Sequence, residues 1–290
     1  MACACIDIGS NTTRLLVAES RGGVLRELMT QRTFTRIGKS LGSARQIPAA
    51  KVAETAEVVA AQVRMAREVG AGRIEAVATA AIRKASNRGE LEAAIAASSG
   101  LTLRVLSEED EARLAFLGAT RTLAAPPGGS VAVVDVGGGS TEIAIGTVEG
   151  GVDWWASLPI GSGLLCDGYL HSDPPAAAEL ERVRAHVSGA FEGLEAPAAD
   201  AAVAVGGSAT SLRRLVGAEL RHDALERSIR ILATTPIEEV ARRFDLDPER
   251  VRLLPGGILI FDELSQRLGR SLAIAAGGIR EGVIIEALAA

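Results

Sequence analysis

A segment that occurs once in each half of the sequence constrains the fold more than any other feature. Residues 5–18 read Cys-Ile-Asp-Ile-Gly-Ser-Asn-Thr-Thr-Arg-Leu-Leu-Val-Ala, and residues 133–146 read Val-Val-Asp-Val-Gly-Gly-Gly-Ser-Thr-Glu-Ile-Ala-Ile-Gly. In each segment an apolar run, a polar turn that contains glycine and a second apolar run predict a β-hairpin. The repeat therefore indicates two related halves within one chain.

Each hairpin is followed by segments typical of a strand that leads into a helix. They lie at residues 76–81, 202–208 and 272–279. Strands that alternate with helical segments predict layers of helices on β-sheets. The sequence therefore predicts an α/β protein.

Proline marks helix starts and the boundary between the halves. Residues 235–238 (Thr-Pro-Ile-Glu) predict a capping box, and Asp247-Pro248 predicts another helix start. Residues 125–129 (Ala-Pro-Pro-Gly-Gly) are typical of a linker. We therefore expect a first domain of residues 1–126 and a second of residues 127–290, whose last helix can pack back on the first domain.

Composition excludes several classes of protein. The chain has 290 residues, of which 48% are hydrophobic, and this is long enough for two domains. No uncharged apolar run reaches the ~18 residues that a membrane span needs, and Asp7 stands where a signal peptide would be apolar. We expect a cytoplasmic protein that binds no membrane. The net charge of −5 argues against broad nucleic-acid binding, although a local basic cleft for a polyanionic substrate is compatible with it.

The acidic residues are the best candidates for a general base. The three cysteines are an odd and sparse number, which gives no disulfide framework and no zinc-ligand spacing, and the three histidines are scattered and form no metal pair. Glu108, Glu109, Asp110 and Glu111 form a cluster that either compensates a helix dipole or contains a residue that activates water. The local pattern does not distinguish these two interpretations.

The second hairpin turn has the composition of an anion site. Gly137, Gly138 and Gly139 let the backbone approach a ligand with no Cβ atom in the way, and successive amides in such a turn form a concave anion site. Asp135 before the turn and Glu142 after it are suited to hold Mg²⁺ opposite bound phosphates. The alternative is an ordinary glycine-rich hairpin, and the duplication favours the functional interpretation.

Three further segments are candidate phosphate ligands. The first hairpin turn carries Asn11 and Thr12, residues 206–210 form a glycine-rich entry into a helix, and residues 79–88 concentrate positive charge around Arg83. Helix amino termini and arginine side chains both bind phosphate. A solvated helix face is the alternative interpretation of the basic segment.

Together these segments resemble the exopolyphosphatase / guanosine pentaphosphate phosphohydrolase family, which belongs to the superfamily of actin, sugar kinases and chaperone ATPases. The resemblance covers essentially the whole chain. It rests on seven segments in this order: residues 7–12, 79–87, 107–113, 135–142, 161–163, 206–208 and 277–282. It implies an α/β fold of two ribonuclease-H-like domains with the substrate in a cleft between them.

The resemblance also implies the roles of single residues. The family pattern Ser-Gly-x-Glu-Glu-Ala-Arg falls on residues 107–113, which assigns the catalytic base to Glu111, with Glu108 in place of the glycine and Asp110 in place of the first glutamate. Mg²⁺, for which Mn²⁺ can substitute, is assigned to Asp135 and Glu142, with Asp7 of the first hairpin as a third contributor. The expected phosphate ligands are Asn11, Thr12, Arg83, Gly137, Gly138, Gly139, Ser140, Gly207 and Ser208.

We therefore expect an exopolyphosphatase that releases terminal orthophosphate from inorganic polyphosphate by attack of a water molecule that Glu111 activates. The alternatives are a guanosine pentaphosphate phosphohydrolase, a small-molecule kinase of the same superfamily and a catalytically silent alarmone sensor. The resemblance implies a homodimer. Long relatives carry extra helical carboxy-terminal domains that this sequence is expected to lack, which predicts a preference for short chains.

Overall fold

The chain folds into two compact units, each built on one mixed β-sheet. The structure is a computed structural model that describes residues 2–42, 44–125 and 127–289. Unit 1 consists of Met1–Thr122 and Gly277–Ala290, and unit 2 of Leu123–Ala276. The domain boundary expected between residues 126 and 127 involves Pro126, which lies outside the described residues, and it stays a prediction.

Unit 1 contains a sheet with the strand order β3-β2-β1-β4-β5. Its strands are β1 (Ala2–Ile8), β2 (Thr13–Arg21), β3 (Val24–Thr33), β4 (Ala71–Ala78) and β5 (Leu103–Val105). Its first helices are α1 (Ile37–Ser40), α2 (Ala49–Glu68), α3 (Ala80–Lys84), α4 (Arg88–Ser99) and α5 (Glu108–Arg121). Strands β1, β2 and β3 pair antiparallel, whereas β4 pairs parallel with both β1 and β5.

Unit 2 contains a sheet with the strand order β10-β11-β9-β6-β7-β8. Its strands are β6 (Ser130–Val136), β7 (Thr141–Thr147), β8 (Gly151–Leu158), β9 (Ala201–Val205), β10 (Glu219–Leu220) and β11 (Leu272–Ile274). Its helices are α6 (Ser162–Tyr169), α7 (Ala177–Ala190), α8 (Gly206–Val216), α9 (His222–Thr234), α10 (Ile237–Phe244), α11 (Pro248–Val251) and α12 (Leu254–Arg267).

The two sheets follow one plan. The order β3-β2-β1-β4-β5 matches β8-β7-β6-β9-β11 strand by strand, with the same pattern of antiparallel and parallel pairs, and β10 is added at one edge of the second sheet. Both predicted hairpins are present, and their turns close on the same backbone hydrogen bond. Gly9 N donates to Thr12 O and Gly137 N donates to Ser140 O, each at 3.0 Å. The predicted fold of two related α/β units is therefore confirmed.

The last helix, α13 (Ile279–Ala289), belongs to unit 1 and packs against α5. Glycine permits this contact, because the two backbones approach closely. A Cβ atom on Gly118 would lie 1.9 Å from Gly278 O, and one on Gly282 would lie 2.1 Å from Leu114 O. The glycines at the junction of residues 272–279 and in α13 thus hold α5 in place by close packing.

The apolar residues of β1 and β2 divide between the two faces of the first sheet, as the period of a strand requires. Ile6 and Leu15 face the core beneath α2, and Cys5 and Leu16 face the core beneath α13. Both faces of the sheet are thereby covered by helices. In the part of the chain that the structure describes, no helix combines the length and the apolar character that a membrane span requires.

The helix start predicted at Asp247 is confirmed, and the capping box predicted at residues 235–238 is wrong. Ser107 Oγ accepts a hydrogen bond of 3.0 Å from Asp110 N at the start of α5, and Asp247 caps α11 in the same way through Glu249 N. The capping box at residues 235–238 is absent, since α10 starts at Ile237 with Pro236 at the cap position. Asp173 Oδ1, from a distant loop, accepts the hydrogen bond of Ile237 N instead.

Candidate active site

In unit 1, the structure brings Glu111 and Arg83 together as a buried ion pair. Glu111 lies in the first turn of α5 and is only 2% exposed, and its Oε1 accepts a hydrogen bond from Arg83 Nη1. Arg83, at the end of α3, also donates to Leu106 O at 2.8 Å and lies 3.4 Å from Glu108 Oε1. Glu111, predicted as the base, and Arg83, predicted as a phosphate ligand, thus hold each other's side chains in position.

The first hairpin turn of unit 1 presents a buried donor. Asn11 Nδ2 is buried and has no hydrogen-bond partner among residues 2–42, 44–125 and 127–289. The turn is held by backbone hydrogen bonds, since Arg36 N donates to Asn11 O at 3.0 Å and Gly38 N donates to Ser10 O at 2.7 Å. Buried donors in proteins are nearly always satisfied. Asn11 and the neighbouring Thr12 are therefore suited to a ligand rich in oxygen.

Asp7, the next-to-last residue of β1, lies opposite Arg14 in the β1–β2 register. Its Oδ1 is buried without a hydrogen-bond partner in the described part of the chain. Burial raises the pKa of Asp7, and the charges of Arg14 and Arg280 act in the opposite direction. Burial also lowers the pKa of Arg14 to about 10. The orphaned oxygen could accept a cation, but two arginines already supply positive charge at this position.

In unit 2, Asp135 and Glu142 lie directly opposite each other on β6 and β7. Both are nearly buried, at 8% and 3% exposure. Ser157 Oγ donates to Glu142 Oε1 at 3.0 Å, which fixes that carboxylate. Asp135 Oδ1 packs against Gly206, where an added Cβ atom would lie 2.2 Å from it. The predicted pair of metal ligands therefore shares one face of the hairpin.

This pair fits a hard divalent cation. Two neighbouring carboxylates with little access to water disfavour each other's charge unless positive charge lies nearby. Mg²⁺ commonly uses one or two carboxylates and completes its octahedral shell with water and substrate phosphates. No group of three or more His, Cys, Asp or Glu side chains suited to a metal is found within the described residues.

The triple-glycine turn of unit 2 is packed against the start of α6. A Cβ atom on Gly161 would lie 2.6 Å from Gly138 C, so this approach requires glycine. Gly137 O accepts a hydrogen bond from Ser162 N, and Gly138 O accepts one from Leu164 N. The carbonyls are thereby engaged, whereas the amides of Gly138 and Gly139 donate to no acceptor in the described ranges. Adjacent amides in such a turn bind anions.

The start of α8 adds a second anion-binding element to unit 2. Gly207 and Ser208 lie in its first turn, where helix amides have no partner within the helix. Ser208 Oγ donates to Ser162 Oγ at 3.2 Å, which links α8 to α6. The Arg250 guanidinium lies against Gly207, since its Nη1 is 2.6 Å from where a Cβ atom on Gly207 would be.

Arg250 is a candidate that the sequence analysis missed. It is 8% exposed and belongs to the short helix α11, more than 40 residues from Gly207 along the chain. An arginine held against the positive end of a helix dipole favours an anion at that position. No local pattern in the sequence marks Arg250, because its place beside Gly207 arises from tertiary packing.

Comparisons with known proteins identify relatives over nearly the whole chain. The model of the Ppx/GppA phosphatase family matches residues 16–290. An uncharacterized protein of Streptomyces coelicolor is 30% identical over 98% of this chain and 90% of its own length, and Exopolyphosphatase 1 of Mycobacterium leprae is 28% identical over 98% and 88%. The crystal structure of the Aquifex aeolicus member of the Ppx/GppA family is 29% identical, with a TM-score of 0.84 over 100% of this chain and 98% of that one. These matches confirm the resemblance, and the chain belongs to the Ppx/GppA phosphatase family.

Proposed function

We propose that this protein is an exopolyphosphatase that releases terminal orthophosphate from inorganic polyphosphate. The name of the Mycobacterium leprae relative supports the substrate class. The observation that carries the proposal of hydrolysis is Glu111, a carboxylate with almost no solvent exposure that Arg83 holds in one orientation. A carboxylate so constrained is suited to position a single water molecule.

Unit 1 supplies the groups that act on the water. Glu111 accepts a hydrogen bond from the attacking water and takes its proton as the water oxygen bonds to the terminal phosphorus. The bridging P–O bond of that phosphorus breaks, so orthophosphate is released and the shortened chain leaves with the bridging oxygen as an oxyanion. Arg83 favours the ionised form of this carboxylate and orients it. Positioning and electrostatic stabilisation do most of the work in phosphoryl transfer, so the rigid ion pair contributes by limiting the orientations of the water.

Unit 2 contains groups that are suited to bind phosphate. Hydrogen-bond donors come from the amides of Gly138 and Gly139 and from the first turn of α8. Positive charge comes from Arg250, which lies against Gly207. Asp135 and Glu142 would hold Mg²⁺. When bound, the cation neutralises negative charge that develops on the phosphate oxygens.

Phosphate release from a panel of substrates tests the proposal. Tripolyphosphate, long polyphosphate, guanosine pentaphosphate and ATP are each incubated with and without Mg²⁺. We expect Mg²⁺-dependent release from the polyphosphates. Release from guanosine pentaphosphate alone would establish the alternative phosphohydrolase. Transfer from ATP to an acceptor would identify a kinase, and binding without release would identify a sensor.

Substitution of the carboxylate pair tests the metal assignment. Asp135→Asn and Glu142→Gln should each raise the Mg²⁺ concentration that gives half-maximal activity by roughly tenfold or more, because a hard cation loses a charged oxygen ligand. Asp153→Asn removes an exposed carboxylate from β8 and serves as the control. If neither substitution of the pair changes the Mg²⁺ requirement, the metal site lies elsewhere.

A further inference from the structure

An exposed stripe of α8 leads from the candidate phosphate site to two arginines. Thr210, Arg213 and Arg214 are exposed, whereas the residues between them are buried. Residues three and four apart lie on one face of a helix, so this stripe continues the face that begins at Gly207. At 1.5 Å per residue, the distance along the helix from Gly207 to Arg214 is ~10 Å.

The carboxy-terminal turn of α10 brings two more arginines to the same place. Arg214 Nη1 lies 3.5 Å from Oδ2 of Asp245, the residue that ends α10. Arg242 and Arg243 are exposed and occupy the last turn of that helix. We refer to Arg213, Arg214, Arg242 and Arg243 as the α8–α10 arginine cluster.

The cluster carries an excess of positive charge. Among the described residues, Arg214 contacts the carboxylate of Asp245, which is 88% exposed and thus strongly screened by water. Arg213, Arg242 and Arg243 form no ion pair with a carboxylate in that part of the chain. Nearby α9 differs, because Arg227 lies 2.8 Å from Asp223, and Arg230 lies 4.0 Å from Glu226. Glu238 and Glu239 lie in the first turn of α10. Together with Asp245 they leave the four arginines in excess by one positive charge, in a protein whose net charge is −5.

We propose that the α8–α10 arginine cluster binds the phosphates of a polyphosphate chain that lie beyond those held at the start of α8. This inference rests on the proposed function and adds a second subsite to it. Arginine binds phosphate oxygens through a planar fork of donors. The stripe joins the cluster to Gly207 and Arg250, so one extended polyanion can contact both. Because Gly207 and Arg214 are ~10 Å apart along α8, we expect a long chain to make more contacts with the cluster than a chain of two or three phosphates.

Binding of chains of different length tests this subsite. The dissociation constants of long polyphosphate and of tripolyphosphate are measured by titration calorimetry in the presence of EDTA, which prevents turnover. Arg213→Gln/Arg214→Gln and Arg242→Gln/Arg243→Gln should each weaken binding of the long chain by roughly tenfold and leave tripolyphosphate within about twofold. A plot of the logarithm of the association constant of the long chain against the logarithm of the salt concentration should become less steep by roughly one unit for each contacting arginine that is replaced.

The matched control is Arg227→Gln/Arg230→Gln on α9, which removes the same charge from exposed positions of the same unit. Circular dichroism checks that all variants are folded. Equal losses for both chain lengths, or equal losses in the control, would overturn the proposal, as would unchanged binding of the long chain. The phosphate-release assay of the wild type is a separate readout. If it shows no hydrolysis while the cluster variants still lose only long-chain affinity, the proposed function fails and the subsite stands.

Discussion

The Arg83–Glu111 pair places a cation beside a buried carboxylate. A carboxylate with 2% exposure is costly to keep charged unless a cation lies beside it. Arg83 meets that need from α3, and its hydrogen bond to Leu106 O ties the guanidinium to the segment that precedes α5. Loss of Arg83 would leave Glu111 buried without this partner, so Arg83 substitutions should affect folding and turnover together.

Replacement of Glu111 by Gln tests its role as the base. Gln keeps the size of the side chain and can still hydrogen-bond, but it cannot accept the proton of the attacking water. We expect kcat to fall by about 10²–10⁴-fold, while polyphosphate affinity stays close to that of the wild type. Steady-state phosphate release and calorimetry measure the two effects.

Glu108→Gln is the matched control for this experiment. Glu108 also lies near Arg83, at 3.4 Å, but its side chain is 48% exposed. Its substitution should change kcat only slightly. Near-normal turnover of Glu111→Gln would transfer the role of base to another carboxylate, with Asp110 as the first candidate.

His222 makes the stability of unit 2 depend on pH. The hydrogen bond between its Nδ1 and Asp262 Oδ1, at 2.6 Å, and the charge of Asp262 raise the pKa of His222. A raised folded-state pKa contributes stability that is fully present below the unfolded pKa of about 6.5 and is lost as pH rises through the folded pKa. His222→Gln should therefore lower Tm at pH 6 and have less effect at pH 9.

The expected difference in Tm is about 1–2 °C, because the imidazole is 60% exposed and solvent screens the pair. Differential scanning calorimetry of the wild type and the variant at both pH values measures it. Asp262 also lies 3.6 Å from Arg184, which faces it from α7 and carries charge at both pH values. A decrease in Tm that is equal at pH 6 and pH 9 would show that the charge of His222 does not contribute.

Single residues of the candidate site could be predicted only where a local pattern or the resemblance marks them. Asp135 and Glu142 flank a glycine-rich turn, and strand pairing places them opposite each other. The pairing of Arg83 with Glu111 and the place of Arg250 beside Gly207 could not be predicted, because distant segments form both contacts. The assignment of Glu111, Asp135, Glu142 and the phosphate ligands to catalysis stays a prediction.

At the scale of helices and strands, local periodicity predicted elements well and caps less well. Both hairpins follow from alternating apolar runs around glycine turns, and both are present. The predicted cap of α10 was wrong, because Asp173 from a distant loop, and not Thr235, accepts a hydrogen bond from the first turn of the helix. A side chain far away in the sequence can always replace a local cap, which is why helix starts are less predictable than helices.

The α5–α13 contact should be unusually sensitive to a single methyl group. A Cβ atom on Gly282 would lie 2.1 Å from Leu114 O, which is backbone and cannot move aside without a shift of α5. Gly282→Ala should therefore destabilise the protein by about 1–3 kcal/mol. It should also reduce kcat, since α5 carries Glu111. Chemical denaturation and phosphate release measure the two effects.

Gly89→Ala is the matched control in a helix of the same unit. Gly89 lies in α4 with no atom within 4 Å of an added Cβ, so alanine meets no steric conflict there. The loss of backbone freedom in the unfolded chain should stabilise the protein by about 0.5 kcal/mol. If both substitutions change the free energy of unfolding in the same direction and by the same amount, the close packing of α13 on α5 does not determine the effect of Gly282→Ala.

For the whole molecule, the internal repeat carried most of the predictive power. It indicated two related α/β halves, and the matching strand orders of the two sheets confirm them. Oligomeric state and cellular location are not encoded in such a pattern. The homodimer and the cytoplasmic location therefore stay predictions, and sedimentation equilibrium tests the first of them.

The last prediction concerns how the enzyme handles a long chain. An enzyme that remains bound between cleavages must neutralise many phosphates beyond the reacting one, because affinity for a polyanion grows with that number. The α8–α10 arginine cluster extends the binding region of unit 2 by only ~10 Å along α8, and the protein as a whole carries a net charge of −5. Affinity should therefore rise with chain length over the first several phosphates and then level off.

Such an enzyme should dissociate between cleavages, act distributively on long polyphosphate and lose activity as salt rises, since screening weakens the few basic contacts. Gel electrophoresis of long polyphosphate during partial digestion distinguishes a distributive enzyme from a processive one. A distributive enzyme shortens the whole population gradually, so the band shifts as phosphate is released. Full-length chains that persist beside free phosphate, with no intermediate lengths, would identify a processive enzyme. In that case the polyphosphate must bind to further residues of the protein, beyond the arginine cluster and the start of α8.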